Sequence, residues 1–252
     1  MKRKLENEPS LYKEYDEVIK SYLKEGIIEP VPANNEKIAG KVHYLLHRAV
    51  VREDRDTTKV RIVFDASSKS GDNPALNDCL YTGPSMILKR PSILSRFRFG
   101  NVGIVADIKQ AFLNVQVEES YRDLLRFLWF TDYTDPDSEI IVYRFTRLVI
   151  GLTSSPYSLA ATIYKHLQTL IELNIDTDIL NKFLADLYVD DEATSLNTTE
   201  EGYEFYIRTK EHLATAGLNL RKWDTNDKAL KRLINAHELN ESNDSSFIGV
   251  WS

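Results

Sequence analysis

The sequence predicts an α+β fold in which an antiparallel sheet is backed by helices. Three observations carry that reading. An apolar stripe of helical period lies near the N-terminus, and short apolar runs of strand length are bounded by turn residues. From residue 101 onward the order is strand, helix, hairpin, helix, strand, which resembles a split β-α-β arrangement. With 252 residues the chain can bury a sizeable core, as one large domain or two intimate subdomains. A hydrophobic share of 42% beside 28% charged residues is that of an ordinary globular protein rather than a disordered one.

The first helix spans about Ser10 to Glu25, because Leu11, Tyr15, Val18, Ile19, Tyr22 and Leu23 fall on one face, and Gly26 supplies the stop. Residues 30–40 read as a loop from their Pro, Asn and Gly content. Two apolar runs near 43–51 and 59–65, separated by a polar stretch, suit a hairpin with a charged tip. Residues 66–92 are loop-rich and lead to a short helix near Ser92 to Phe99. Val102 to Asp107 is a buried strand that ends in an acid, and Arg126 to Phe130 with Ile140 to Leu148 form a second hairpin. Gly151 to Pro156 form a turn feeding a helix to about Leu173, with Ser154 or Ser155 as cap and Pro156 in its first turn. Phe183 to Val189 read as a strand, followed by two aspartates and a second strand over Ala193 to Leu196. Thr198 and Glu201 have capping-box spacing for a helix that ends before Gly217, and Phe247 to Trp251 is the last strand candidate.

Several function classes are disfavoured at once. No stretch approaches the roughly 20 apolar residues needed to span a bilayer, and the N-terminus runs straight into charged helical sequence with no targeting signal. A single cysteine, Cys79, rules out an internal disulfide framework, fits a reducing compartment and reads as structural. There is no GxxxxGK[ST] phosphate loop. His43 and His47 are four apart in a strand-like run with no third ligand, so zinc is not expected. The net charge of −6 argues mildly against a simple nucleic-acid binder. Basic residues nevertheless gather at Arg48, Arg52, Arg55, Lys59, Arg61 and Lys69, and again at Lys89, Arg90, Arg96 and Arg98.

The sharpest chemical signal is Leu187-Tyr188-Val189-Asp190-Asp191, an apolar strand that ends in adjacent aspartates at a tight turn. Two acids side by side repel, and the pair is stable mainly beside a cation. Asp107 also ends a buried apolar strand, so three carboxylates converge if the two strands are neighbours. Magnesium is held in this way, by carboxylates together with phosphate oxygens and water. Two such ions serve an in-line phosphoryl displacement. Spacing alone does not separate these acids from ordinary turn residues, since turns favour Asp. The surrounding motifs do.

Seven pieces occur in order from about residue 40 to the C-terminus: KVRIVFDASSKS, ALNDCL followed by GPS, VADIKQAFLNVQV, RFTRLVIGLTSSPYSLA, LYVDD, AGLNLRKW and FIGVW. Together they resemble the reverse transcriptase of BEL/Pao-type long-terminal-repeat retrotransposons. The resemblance implies a right-hand polymerase: an N-terminal lead-in over 1–40, fingers over 41–100 and 115–150, and a palm over 101–114 and 151–252 with a ferredoxin-like antiparallel sheet. It implies two Mg2+ ions, with Mn2+ as a substitute. It also implies an RNA or DNA template with primer, deoxynucleoside triphosphates, no membrane, a cytoplasmic retroelement particle and a longer Gag-Pol-type polyprotein.

Carried over position by position, the resemblance makes Asp107, Asp190 and Asp191 catalytic metal ligands, with the Ile108 carbonyl assisting. Phe112 matches the aromatic position that blocks a ribose 2′-hydroxyl. Arg61 matches the arginine that contacts the incoming triphosphate, a role suited to a planar, permanently charged fork, and Arg52 is a weaker partner cation. Ile150 and Gly151 line the nucleotide pocket, and Lys222 matches a lysine near the pyrophosphate that donates a proton. Ser155, Pro156, Tyr188 and Val189 fall where template and primer are contacted. Two positions depart from the pattern: Leu46 stands where Pro is commoner, and Ile150 where Phe often stands. The resemblance ends just past Trp251, so a chain truncated after the palm, without thumb or RNase H and with a weak grip on duplex, is expected. Two other readings stay open: an inactive remnant that only binds nucleic acid, and a two-metal nuclease.

Overall fold

The computed structural model describes residues 8–32, 42–51, 60–86, 90–132, 135 and 138–248, with the backbone alone for Arg90 and 242–248. In chain order the elements are α1 (Pro9–Lys24), β1 (Ile28–Pro30), β2 (Leu46–Val51), β3 (Val60–Asp65), α2 (Leu76–Cys79), α3 (Arg90–Arg96) and β4 (Val102–Ile108). A 3-10 turn over Ala111–Asn114 leads to α4 (Glu119–Arg122), a second such turn over Asp123–Leu125, β5 (Arg126–Phe130) and β6 (Ile140–Phe145). Then follow α5 (Ser155–Glu172), α6 (Thr177–Asp186), β7 (Leu187–Tyr188), β8 (Asp191–Leu196), α7 (Thr199–Ala214), β9 (Leu220–Thr225) and α8 (Lys228–Ile248). The chain forms two compact units, one of residues 1–83 with 112–155 and the other of 84–111 with 156–252. Among the described residues no helix is long and apolar enough to cross a membrane.

In the first unit, antiparallel strands in the order β1-β6-β5 form one sheet and β2-β3 another. The predicted stripe of α1 supplies Leu11, Tyr15 and Ile19 to the core, whereas Leu23 stays largely exposed. Gly26, at φ +66, lets the chain turn from the helix into β1. Aromatic rings dominate the interior. Phe64 meets Phe145 edge-on at 4.7 Å and Phe127 at 5.1 Å, while Tyr15 stacks on Trp129 at 4.8 Å. Within this apolar mass Asp123 accepts from Arg126 Nε and Arg144 Nη1, each at 3.0 Å, and Glu29 takes Arg144 Nε at 2.7 Å. His47 is tied at both ring nitrogens, to the Tyr15 hydroxyl and to the Leu128 carbonyl. Cys79 is exposed at the end of α2 and is not the packed structural thiol expected.

The second unit is a four-stranded antiparallel sheet in the order β7-β8-β4-β9. Leu159, Ile163 and Leu167 of α5, Leu180 and Phe183 of α6, Phe205 and Leu213 of α7, and Leu230 and Ile234 of α8 are all buried. Gly202 in α7 has no room for a side chain, since a Cβ there would lie 2.8 Å from Leu230 Cδ2 and 3.4 Å from Ile104 Cδ1. Thr198 caps α7 by accepting from the Glu201 N–H at 3.2 Å, while the Glu201 carboxylate reaches back to the Asn197 N–H.

Two expectations are corrected here. The run 183–189 is not one strand: α6 continues to Asp186 and only Leu187–Tyr188 are extended. Leu180, Phe183 and Asp186 are buried at three-residue spacing, a helical period that is easily missed because its third member is an acid. The strand expected at Phe247 to Trp251 is replaced at 247 and 248 by the end of α8, and 249–252 lie outside the described residues. Residues 84–100 fall in the second compact unit. Arg96 Nε donates to Asp186 at 2.7 Å and Ser195 Oγ to the Arg96 carbonyl at 3.1 Å, which binds α3 to that sheet.

Candidate active site

β4 and β8 run antiparallel in a register that sets Asp107 directly opposite Asp191. β7 and β8 close through a two-residue turn, Val189-Asp190, between the paired residues Tyr188 and Asp191. Val189 has φ +59 while Asp190 does not share the left-handed region. That is the pattern of a type II′ hairpin, whose first turn position is normally glycine. A β-branched side chain there costs on the order of 1–3 kcal/mol, strain that the surrounding sheet must hold. The Ile108 N–H donates to the Asp190 carbonyl at 2.9 Å, fastening the turn to the end of β4. Local geometry therefore brings all three predicted aspartates to one edge of one sheet.

Their electrostatics differ. Partial burial, reinforced by the charge of Asp191 and then of Asp107, raises the Asp190 carboxyl above its ordinary range. Asp107 goes the other way. Its partial burial is outweighed by hydrogen bonds from Lys222 and Arg221, and its carboxyl is held below the usual range. Arg221 Nε donates to Asp107 Oδ1 at 2.8 Å and Lys222 Nζ to Oδ2. The three aspartates are not drawn into a tight cluster. Among the described residues, the one set of three acidic, His or Cys side chains with ligand atoms within 4.8 Å of one another is His237, Glu238 and Glu241. Lys210 already occupies both glutamates of that set.

Behind the turn lies a second acidic group. Asp186 accepts from Arg96 Nε at 2.7 Å, Thr194 Oγ1 at 2.7 Å and Lys182 Nζ at 3.3 Å. Glu192, 1% exposed, has no hydrogen-bond partner on either carboxylate oxygen. Burial, and then the charge of Asp186, pushes its carboxyl well above the ordinary range despite Lys182 and Arg96. Alternation along β8 explains the arrangement: Asp191 is exposed and Glu192, the next residue, points into the interior.

The remaining predicted residues divide between the units. Tyr188, Val189, Lys222 and Pro156 accompany the aspartates in the second unit, whereas Arg61, Phe112, Ile150, Gly151 and Ser155 belong to the first. Arg61 is exposed on β3, Phe112 is half-buried in the 3-10 turn, and Ile150 is prominently exposed. Gly151, at φ +109, lies where a Cβ would come within 3.0 Å of the Phe64 carbonyl. Ser155 is 1% exposed and its hydroxyl donates to the Val149 carbonyl at 2.7 Å, so its side chain braces the turn from within. Arg52 lies outside the described residues.

Two residues were missed. Asn77 donates to the Gly151 carbonyl and accepts from the Thr153 N–H, both at 2.9 Å, clamping the turn from both sides. Its signal was the ALNDCL motif, to which no role had been attached. Arg221 stood beside Lys222 in LRKW, but strand alternation would have sent the two to opposite faces.

Asp107, Asp190 and Asp191 offer only hard oxygen donors, the ligand type of Mg2+ or Mn2+ rather than of a softer ion, although their oxygens are not gathered within 4.8 Å of one another. No family model matches the sequence, and no curated protein matches it. Among solved structures, this chain is similar to that of a foamy viral protease-reverse transcriptase, described as dRH and in complex with double-stranded DNA. The TM-score is 0.60 at 19% sequence identity, over 82% of this chain and 30% of that one. This chain thus spans about a third of the length of that neighbour. The chain has a reverse transcriptase-like fold.

Proposed function

We propose that this chain is the polymerase core of a BEL/Pao-type retroelement reverse transcriptase, adding deoxynucleotides to a primer 3′-hydroxyl on an RNA or DNA template. The observation that carries the reading is the register that pairs Asp107 with Asp191 around the Val189-Asp190 turn. In this reading the first unit is the fingers and the second the palm. Asp107, Asp190, Asp191 and the Ile108 carbonyl would hold two divalent ions. Ions bound there supply activation of the primer hydroxyl and neutralise charge on the leaving pyrophosphate.

The chain's own residues do the rest. Arg61 binds the triphosphate, Phe112 excludes a ribose 2′-hydroxyl, and Ile150 with Gly151 shapes the nucleotide pocket. Lys222, whose ammonium donates to Asp107, is the proton donor to pyrophosphate in this reading. Tyr188, Val189 and Pro156 contact template and primer. Template sequence is read by base pairing while the protein holds the backbone.

Incubation with a labelled primer on RNA or DNA template, Mg2+ and deoxynucleotides tests the proposal. Stepwise extension is expected. Duplex binding without extension would favour a remnant that only binds nucleic acid, and cleavage without synthesis would favour a nuclease.

A further inference from the structure

β9 carries one residue more than β4 between its paired positions: Val105 faces Asp224 and Asp107 faces Arg221, so Lys222 and Trp223 together oppose Ala106. Lys222 has φ +54, the left-handed position that such a bulge ordinarily gives to glycine. In an unbroken strand consecutive side chains alternate, and Arg221 and Lys222 would point to opposite faces. The bulge removes the alternation. Both cations consequently reach the same carboxylate, one on each oxygen of Asp107.

Both oxygens of the side chain that must join Asp190 and Asp191 around a divalent ion are therefore already engaged. The partners remain in contact with water, Arg221 44% and Lys222 60% exposed, so neither is locked in place. Ion pairs open to solvent are weak and exchange readily. The guanidinium is the more directional of the two, a planar fork that fixes its carboxylate in orientation.

We propose that Arg221 is an internal counter-cation of Asp107 that competes with divalent metal, so that its displacement is part of ion binding and its presence sets the metal affinity of the site. This rests on the metal-site reading above. Arg221 is a positioning residue in this scheme: it acts through Asp107.

The test is Mn2+ affinity of the whole chain, read from the free-ion electron paramagnetic resonance signal, for wild type, Arg221→Ala, Arg221→Lys, Asp107→Asn and the Asp107→Asn/Arg221→Ala double variant. Arg221→Ala is expected to bind Mn2+ about threefold to fivefold more tightly, the upper part of the scale of one partly exposed ion pair. Arg221→Lys should stay near wild type. In the Asp107→Asn background, removing Arg221 should change affinity less than about twofold. Unchanged or weaker binding by Arg221→Ala would overturn the inference while leaving the metal site standing, provided that Asp107→Asn weakens binding. An equal gain in both backgrounds would also overturn it, because it would report general charge rather than competition for Asp107. Failure of both wild type and Arg221→Ala to bind Mn2+ would sink the site reading and this inference together. Should Arg221→Ala not fold, the Arg221 Nε–H resonance of wild type during Mg2+ titration decides the matter. A shift toward the solvent-exposed value supports displacement, and an unmoved resonance at saturating Mg2+ contradicts it.

Discussion

Asp123 in the first unit and Asp107 in the second each carry two cations, and the two sites differ in what water can reach. In the first unit Asp123 is 4% exposed, and Arg126 and Arg144 around it are buried as deeply. In the second, Asp107 is 20% exposed and its cations, Arg221 and Lys222, more so. Hydrogen bonds from the cations overcome partial burial in both cases, holding each acid below its ordinary range. The same chemistry yields a fixed brace where the carboxylate and both arginines are shut off from water, and a looser pairing where the cations face solvent. Solvent access, more than the pairing itself, separates the two sites.

Asp123→Asn should break the comparison hardest. It leaves Arg126 and Arg144 buried with less compensation and should destabilise the first unit by about 3 kcal/mol in urea unfolding. A loss below about 1 kcal/mol would mean that the arginines find water, and the contrast with Asp107 would fail. The pH dependence sharpens the same point. Because the folded-state value of Asp123 is depressed, its contribution is present above the ordinary carboxylate value of about 3.9 and is lost as pH falls through the lower folded value. Wild type should lose stability steeply below about pH 4, and Asp123→Asn should show a shallower slope there.

For the exposed clamp the expected effects on stability are smaller. Asp107→Asn should cost less than about 1 kcal/mol after allowance for solvent screening, and 1 M salt should erase most of that. A larger or salt-resistant loss would make Asp107 a structural brace like Asp123. Val189→Gly, which relieves the left-handed φ of a β-branched residue, should raise stability by roughly 0.5 kcal/mol. Slower nucleotide incorporation is expected with it, because the turn then holds Asp190 less firmly. Faster incorporation would show that the strain has no part in positioning the acid.

Much of this arrangement was legible in the chain itself. Asp107 and the Asp190-Asp191 pair stood out through the motifs around them rather than through spacing alone, and the hairpins and the Thr198 cap followed from alternation and capping chemistry. The helix α6 was hidden because a run of apolar residues reads equally as a strand, and its N-cap, Asp176, adopts φ +42 without a side-chain cap bond. The bulge at Lys222 could not be read at all. It arises from pairing between β4 and β9, whose register is a property of the sheet and not of either segment. The bond from the Ser155 hydroxyl to the Val149 carbonyl was likewise out of reach, because it depends on how the turn before α5 folds back on itself.

The central claim is that Asp107, Asp190 and Asp191 act as one metal-dependent polymerase site. Single-nucleotide incorporation into a labelled primer on an RNA template, with Mg2+, compared between wild type and Asp190→Asn, addresses it most directly. The account predicts incorporation by wild type and a loss of at least about a hundredfold in the variant, with duplex binding retained. Equal incorporation by the two proteins would contradict it.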